Sequence, residues 1–292
     1  MQTRCGFVGL GGEPNAGKST LMNRLLGEKL AIVSPKPQTT WNVVRGIFTD
    51  RLGQIIFVDT PGWHRPDNPV GERLVAVAAR ALSGTDLIFW LVDCRPQPEI
   101  SAQLLARRPA ARVPSFLLLN KIDLIPRSRL LPLIDYFRKL KIFHEIIPLS
   151  ALKGDNVEKL LELTWKYLPS GPPLFDPEQL SDQPERELVR EFIRERIFLL
   201  TNQEIPYSSA VKIEAVREGP ERKKIFIQAV VYMERESQKG ILIGKKGTMI
   251  KKIGQAARRR IEDFLGRPVY LDLRVKVRPN WRKNPTARRE LL

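Results

Sequence analysis

Hydrophobic positions follow two different rhythms along the chain. In the first 168 residues short unbroken apolar runs recur between polar stretches: Phe7-Val8-Gly9-Leu10, Ile55-Ile56-Phe57-Val58, Leu87 to Val92, Phe116 to Leu119 and Ile146-Ile147-Pro148-Leu149. Runs this short and this apolar predict strands covered on both faces, as in a parallel sheet flanked by helices. A helical period follows the first run over Thr20 to Leu26, and another closes the region over Asn156 to Leu168. Pro169-Ser170-Gly171-Pro172-Pro173 then interrupts the pattern and marks a seam. Beyond it the spacing predicts a helix over Glu185 to Leu200 and alternating strands over Ala210 to Val216 and Lys224 to Met233. A helix-loop-helix junction follows near 241–250, then a basic helix from Ile250 to Leu265 and a strand over Val269 to Val277. In that last strand Leu271, Leu273, Val275 and Val277 share the face expected to be core, and Tyr270, Asp272, Arg274 and Lys276 share the other. The expected organisation is a domain at 1–168, a linker at 169–180, a second domain at 181–280 and a tail at 281–292.

A chain of 292 residues is ample for two cores. Charge adds what periodicity leaves open. The formal net charge is +17, and residues 235–292 hold 17 Lys and Arg against 5 Asp and Glu, or +12 of that total. Clustered positive charge is the footprint of a polyanion and predicts salt-dependent binding, although an anionic membrane surface accounts for it equally. No apolar run approaches the roughly 20 residues that span a bilayer, and the N-terminus enters the first strand without a signal peptide. A soluble, cytoplasmic chain is expected. Cys5 and Cys94 make neither a disulfide framework nor a metal cluster, as in a reducing compartment.

The chemistry is concentrated at strand ends. Gly12-Glu13-Pro14-Asn15-Ala16-Gly17-Lys18-Ser19 lies between the first strand and the first helix. Glycines at this spacing turn backbone N–H groups onto a polyphosphate, Lys18 places a cation on its outer phosphates, and Ser19 offers a hydroxyl to Mg²⁺, with Ala16 and Thr20 completing the cradle. Asn120-Lys121-Ile122-Asp123 ends the fourth apolar run. A carboxylate at Asp123 accepts hydrogen bonds from N1–H and the 2-amino group of guanine, which adenine cannot offer, so the nucleotide is GTP or GDP. Ser150-Ala151-Leu152 suits backbone contact with the guanine O6. Asp59-Thr60-Pro61-Gly62 ends the second run: Asp59 falls at the second metal-holding position, and Gly62 can turn its N–H toward the γ-phosphate. Upstream, Pro37-Gln38-Thr39-Thr40 forms a loop in which Thr40 is the chosen third ligand of Mg²⁺. Catalysis is thus expected to rest on Lys18, Thr40, Asp59 and Gly62.

In the second region Ile243-Gly244-Lys245-Lys246-Gly247 contains GxxG between apolar stretches. Two glycines allow a tight helix junction and close approach of a nucleic-acid backbone, which Lys245, Lys246 and Lys251 neutralise. Arg278-Pro279-Asn280-Trp281-Arg282-Lys283 mixes cations with a ring that can stack on a base.

Five motifs in this order resemble the TRAFAC class of GTPases, and within it the Era-like family. The αββααβ order around GxxG resembles the type II KH domain of that family, so the likeness covers nearly the whole chain. It implies a P-loop GTPase domain, mostly parallel with helices on both faces, followed by an α+β KH domain. It also implies slow GTP hydrolysis and binding to the 3′ region of small-subunit ribosomal RNA by a monomer that assists ribosomal subunit assembly. Peripheral contact with the inner face of the cell membrane is implied as well. A single GKS argues against relatives with tandem GTPase domains. Where Ras-like GTPases carry a water-orienting glutamine, Gly62 is followed by Trp63 and His64. The resemblance implies that Trp63 turns away from the water and that Asn15 helps to hold K⁺; His64 is expected to be an ordinary solvent-facing switch residue rather than a general base, since phosphoryl transfer needs little covalent chemistry from the protein. A non-catalytic, GTP-responsive RNA-binding scaffold is the alternative. Gly9 and Gly11 stand where related first strands carry β-branched residues, which predicts a looser strand, and Trp41 stands where an arginine is common.

Overall fold

Apolar runs at the predicted positions form the first sheet: β1 (Arg4–Gly12), β2 (Val44–Asp50), β3 (Gly53–Asp59), β4 (Leu87–Asp93), β5 (Ser115–Asn120) and β6 (Glu145–Leu149). The spatial order is β2-β3-β1-β4-β5-β6, parallel throughout except for β2, which pairs antiparallel with β3. The computed structural model describes residues 3–36, 39–66, 69–106, 113–219 and 223–291. It divides the chain into two units, Met1–Asp182 and Gln183–Leu292.

Side chains of alternate parity in these strands bury on opposite faces, which is why the runs carry no polar positions. On one face Ile88, Trp90, Val92, Leu117 and Leu119 join Leu82 of α2 (Pro69–Leu82), Leu105 of α3 (Pro98–Ala106) and Leu133 and Phe137 of α4 (Leu130–Arg138). On the other, Phe57, Phe89 and Phe116 form a ladder with centroids 6.4 and 5.6 Å apart, and it ends edge-on against Tyr167 of α5 (Val157–Tyr167). The chain leaves β1 toward β3 on one side and crosses to β4 on the other. Open α/β sheets bind ligands at such a switch point, beyond the carboxyl ends of the strands.

Two expectations change here. The first strand is not loose: it pairs continuously with β3 and with β4. Its glycines make room for large neighbours, because a Cβ on Gly9 would meet Leu82 at 2.6 Å and one on Gly11 would meet the Trp90 ring at 2.8 Å. The proline-rich seam is also no free linker. Cys5 N donates to Pro169 O, Gly171 N to Thr3 O and Ile47 N to Leu180 O. The fully buried Gln54 accepts from the N–H groups of Leu174 and Phe175 and donates to Phe175 O, and Arg45 pairs with Asp182 at 2.6 Å. Residues 169–182 are a strap on the first unit.

The second unit holds α6 (Glu185–Leu200), the short α7 (Ile205–Ser208), β7 (Ala210–Glu218), β8 (Ile225–Met233), α8 (Glu236–Ile243), α9 (Thr248–Leu265), β9 (Val269–Val277) and α10 (Pro285–Leu291). β7 runs antiparallel to β8, with a bulge between Ile213 and Ala215, and β9 runs parallel to β8 at the other edge. Leu271, Leu273, Val275 and Val277, expected as core, are only half-buried, because β9 is an edge strand and α9 stands off from part of it. The expected tail is folded. Asn284 caps α10, whose Ala287 and Leu291 are buried, and Glu290 pairs with Lys212 and Arg278 at 2.6 and 2.7 Å.

Candidate functional site

β1 ends in a loop that can follow its path only with glycine in the left-handed region. Gly17 has φ 100°, and a Cβ there would lie 2.2 Å from Asn120 Nδ2. α1 (Lys18–Leu26) starts at the next residue and aims its unpaired N–H groups into the cavity. Lys18 is buried, and its Nζ donates to the carbonyls of Gly12 and Glu13 at 3.1 and 2.8 Å. Burial pushes its pKa down to about 8, against the attraction of Asp59 and Glu13. A desolvated cation held by carbonyl groups is poised to exchange them for phosphate oxygens.

Ser19 Oγ donates to Asp59 Oδ2 at 2.6 Å and lies 3.2 Å from Thr40 Oγ1. Residues 40 positions apart thus form one hydroxyl, hydroxyl and carboxylate cluster. Asp59 Oδ1 is buried without a hydrogen-bond partner among the described residues, and burial raises the Asp59 pKa to about 6 against Lys18 and Ser19. An orphaned carboxylate oxygen beside two hydroxyls fits Mg²⁺, which takes few protein oxygens and completes its shell with water and phosphate.

At the far side Asn120 Nδ2 donates to Ala16 O at 2.6 Å while its Oδ1 accepts from Ala151 N at 2.9 Å, so one amide ties three loops. Ser150 Oγ donates to Asp123 Oδ1 at 2.7 Å, aligning that carboxylate. Asn15, Thr20, Lys121, Ser150, Ala151, Leu152 and Gly62 line the same cavity of about 440 Å³ with Lys18, Ser19, Thr40, Asn120 and Asp123. Gly12, Ala16 and Asp59 stand behind it, and Pro37 and Gln38 of the switch loop lie outside the described residues. Two residues that sequence reasoning missed complete the base-binding end. Asp93, at the end of β4, takes Lys121 Nζ at 2.7 Å and Arg95 at 2.6 Å. Burial pushes Asp93 up, but the hydrogen bonds from Arg95 and Lys121 prevail and hold it near 2. An acid ending a wholly apolar strand, followed two residues later by Arg95, was the available signal.

Trp63 meets Trp90 edge to face at 6.3 Å and packs on the cluster between α2 and α4. His64 Nδ1 lies 2.8 Å from Gly62 O and, facing a carbonyl, is the donor. Its ring is thereby tied to the switch backbone.

In the second unit α8 and α9 meet at Gly244-Lys245-Lys246-Gly247. Gly244 has φ 73°, and a Cβ there would crowd Met249 at 2.8 Å. Lys245, Lys246 and Lys251 are exposed and Ile243 half-buried beside them. Ile250, Lys251, Gly254 and Arg258 of α9 face Leu271 and Leu273 of β9 across a groove of about 310 Å³. An apolar floor with cationic walls suits unstacked bases and their backbone. Trp281 does not belong to this surface. It is fully buried and donates through Nε1 to Ser208 O at 3.1 Å, so its ring is core rather than a stacking platform. Arg278 and Arg282 are half-buried and paired, with Glu290 and Glu234, while Lys283 is exposed.

The two units are thus a P-loop GTPase domain and an RNA-binding KH domain in one chain. Family models agree: a 50S ribosome-binding GTPase matches residues 7–121, and a KH domain matches residues 204–282. The chain is 47% identical over 289 residues to GTPase Era of Syntrophus aciditrophicus, covering 98% of this chain and 94% of that one. It is 44% identical to GTPase Era of Ruminiclostridium cellulolyticum, covering 97% and 95%. Among solved structures it superposes on an Aquifex aeolicus Era variant bound to GDP·AlF₄⁻ with TM-score 0.94 and 40% identity, over 99% of each chain. Era in complex with MgGDPNP and nucleotides 1506–1542 of 16S ribosomal RNA gives TM-score 0.92 and 41% identity, over 99% and 98%. The chain belongs to the Era family of GTPases.

Proposed function

We propose that this chain uses GTP binding and hydrolysis to time its hold on the 3′ region of small-subunit ribosomal RNA during subunit assembly and maturation. The observation that carries the timing is the cluster of Ser19, Asp59 and Thr40, within 2.6 and 3.2 Å of one another. Thr40 belongs to a loop with no element of its own, so its place depends on what the cluster holds. Ser19, Asp59 and Thr40 would hold Mg²⁺, which would supply neutralisation of the phosphate charge. Lys18 neutralises the outer phosphates, the Gly62 N–H faces the γ-phosphate, and Asp123 selects guanine. Trp63 has its ring in an apolar cluster, so no side chain there orients water, and slow turnover follows. Asn15 donates through Nδ2 to Pro35 O at 2.9 Å, which leaves its amide oxygen to ligate K⁺. The chemistry is phosphoryl transfer to water, in which positioning and charge do the work.

The RNA lies in the groove between α9 and β9, with Lys245, Lys246 and Lys251 on its backbone. Likeness to an Era bound to 16S ribosomal RNA nucleotides supports this placement. The protein works as a cytoplasmic monomer whose basic surface also meets the anionic inner face of the membrane. No helix among the described residues is long and apolar enough to cross a membrane.

The test is binding of a CCUCC-containing RNA and a scrambled control, with GDP or a non-hydrolysable GTP analogue, alongside phosphate release in K⁺ and in Na⁺. Selective binding that rises with the analogue, with turnover faster in K⁺, is expected. Nucleotide-dependent RNA binding without turnover would make the chain a scaffold instead. Equal binding of both RNAs, whatever the nucleotide, would sink the timing.

A further inference from the structure

Exposed aromatic pairs are costly to leave in water, and the second unit keeps one on the outer face of its sheet. Arg217, Phe226 and Tyr270 stand in one row across β7, β8 and β9. Phe226 is 39% and Tyr270 53% exposed, with ring centroids 5.7 Å apart and planes tilted by 46°. Lys224 holds its ammonium 5.8 and 5.5 Å from the two centroids. Gly219, just past β7, lies close to the pair: a Cβ there would lie 2.9 Å from the Phe226 ring. Arg217, Gly219, Phe226 and Tyr270 line a cavity of about 320 Å³. The other end of the same face is covered. There Glu290 of α10 pairs with Lys212, and Val230 is fully buried.

Charge selects the occupant. Among the described residues the two carboxylates at the rim are already neutralised, Glu218 by Arg267 at 3.1 Å and Asp272 by Arg274 at 2.8 Å. Lys224 and the exposed Arg217 therefore leave the rim cationic, which suits a chain of phosphates and opposes a basic partner. Position selects it again. Tyr270 lines this cavity and also the groove between α9 and β9, and β9 is the sheet's edge strand, so one ring stands where the two surfaces meet.

We propose that this open end of the sheet is a second base-stacking subsite, which takes the nucleotides of a single-stranded RNA that leaves the groove and turns around the β9 edge. The inference rests on the groove being the RNA site. Aromatic faces stack on any base, so the subsite adds affinity without reading sequence, while Lys224 moves from the rings to a phosphate.

The experiment uses the full chain with a GTP analogue and compares a short CCUCC-containing RNA with the same RNA extended by several uridines at its 5′ or its 3′ end. Extension at one end is expected to tighten binding by about five- to tenfold, the lower range for stacking on one base. Phe226→Leu keeps apolar cover but removes the ring, and Lys224→Gln removes the cation. Each should abolish most of the gain and leave affinity for the short RNA unchanged. In the unsubstituted protein, 4-thiouridine placed in the extension should cross-link to the peptides carrying Phe226 or Tyr270, a readout independent of how any variant folds. If the short RNA binds, but extension adds nothing or the cross-links fall elsewhere, the subsite is overturned and the groove reading stands. If neither RNA binds, both fall together.

Discussion

Asn120 offers the sharpest test of how the nucleotide site is built. Its buried amide donates to the P-loop, at Ala16 O, and accepts from the loop after β6, at Ala151 N. Asn120→Ala leaves both backbone groups buried without partners, each at a cost of about 1–3 kcal/mol, partly relieved if water enters the space. A net loss of about 2–4 kcal/mol lowers the melting midpoint by roughly 5–10 °C in a unit of this size, and the displaced loops weaken GDP binding at least about tenfold. Asn120→Asp is nearly isosteric and should be worse near neutral pH. The introduced carboxylate still accepts from Ala151 N, but its other oxygen faces the Ala16 carbonyl, acceptor against acceptor. Protonated, that oxygen donates instead, so folding raises the pKa of the new carboxyl. The deficit is then smallest at low pH and grows as pH rises through the raised value. The assay is thermal unfolding of the nucleotide-free protein between about pH 5 and 8, with GDP titrations beside it. If Asn120→Ala melts with the unsubstituted protein, or the two variants run parallel across that range, the bridging role is wrong.

Trp281→Phe should cost the second unit the hydrogen bond to Ser208 O and some packing, and Trp281→Ala about 3–5 kcal/mol, read by denaturant unfolding; RNA affinity of the folded Phe variant should not change, whereas a stacking ring would lose it. Gln54→Ala should free the strap, so that limited proteolysis cuts within residues 169–180 at least several-fold faster, and unchanged cleavage would show that the other strap contacts suffice. Asp93, held near 2 in the folded chain against an ordinary 3.8, stabilises the first unit above about pH 4 and loses that contribution as pH falls toward 2. After allowance for solvent screening this amounts to about 1 kcal/mol, and Asp93→Asn should flatten that part of an acid-unfolding curve.

The motifs were legible because each is local. GxxxxGKS, DTPG, NKID and GxxG sit at the ends of strands or helices, where a few adjacent residues set backbone path and chemistry together. The strands were legible because burial on both faces removes polar positions from the run, and the strand over Val269 to Val277 and the helix over Glu185 to Leu200 have the predicted bounds. Readings that depended on what lies opposite a residue fared differently. Gly9 and Gly11 look like weak points in a strand until Leu82 and Trp90 are seen filling the space above them. Trp281 among cations looks like a base-stacking ring until Ser208 O is found at its Nε1. The prolines at 169–173 look like a linker until Gln54, more than a hundred residues away, is found holding the strap.

Order and spacing along the chain therefore determined the two-domain architecture, the guanine nucleotide and the GxxG loop, since these rest on side chains and backbone within one turn or one strand end. Tertiary structure alone decided that Gly9 and Gly11 make room for Leu82 and Trp90, that Asp93 anchors Lys121, and that an aromatic pair remains uncovered beside the groove. The physical reason is the same in each case: a hydrogen bond, a desolvated charge or an exposed ring is defined by what stands across from it in space, and the neighbours that matter here come from distant parts of the chain.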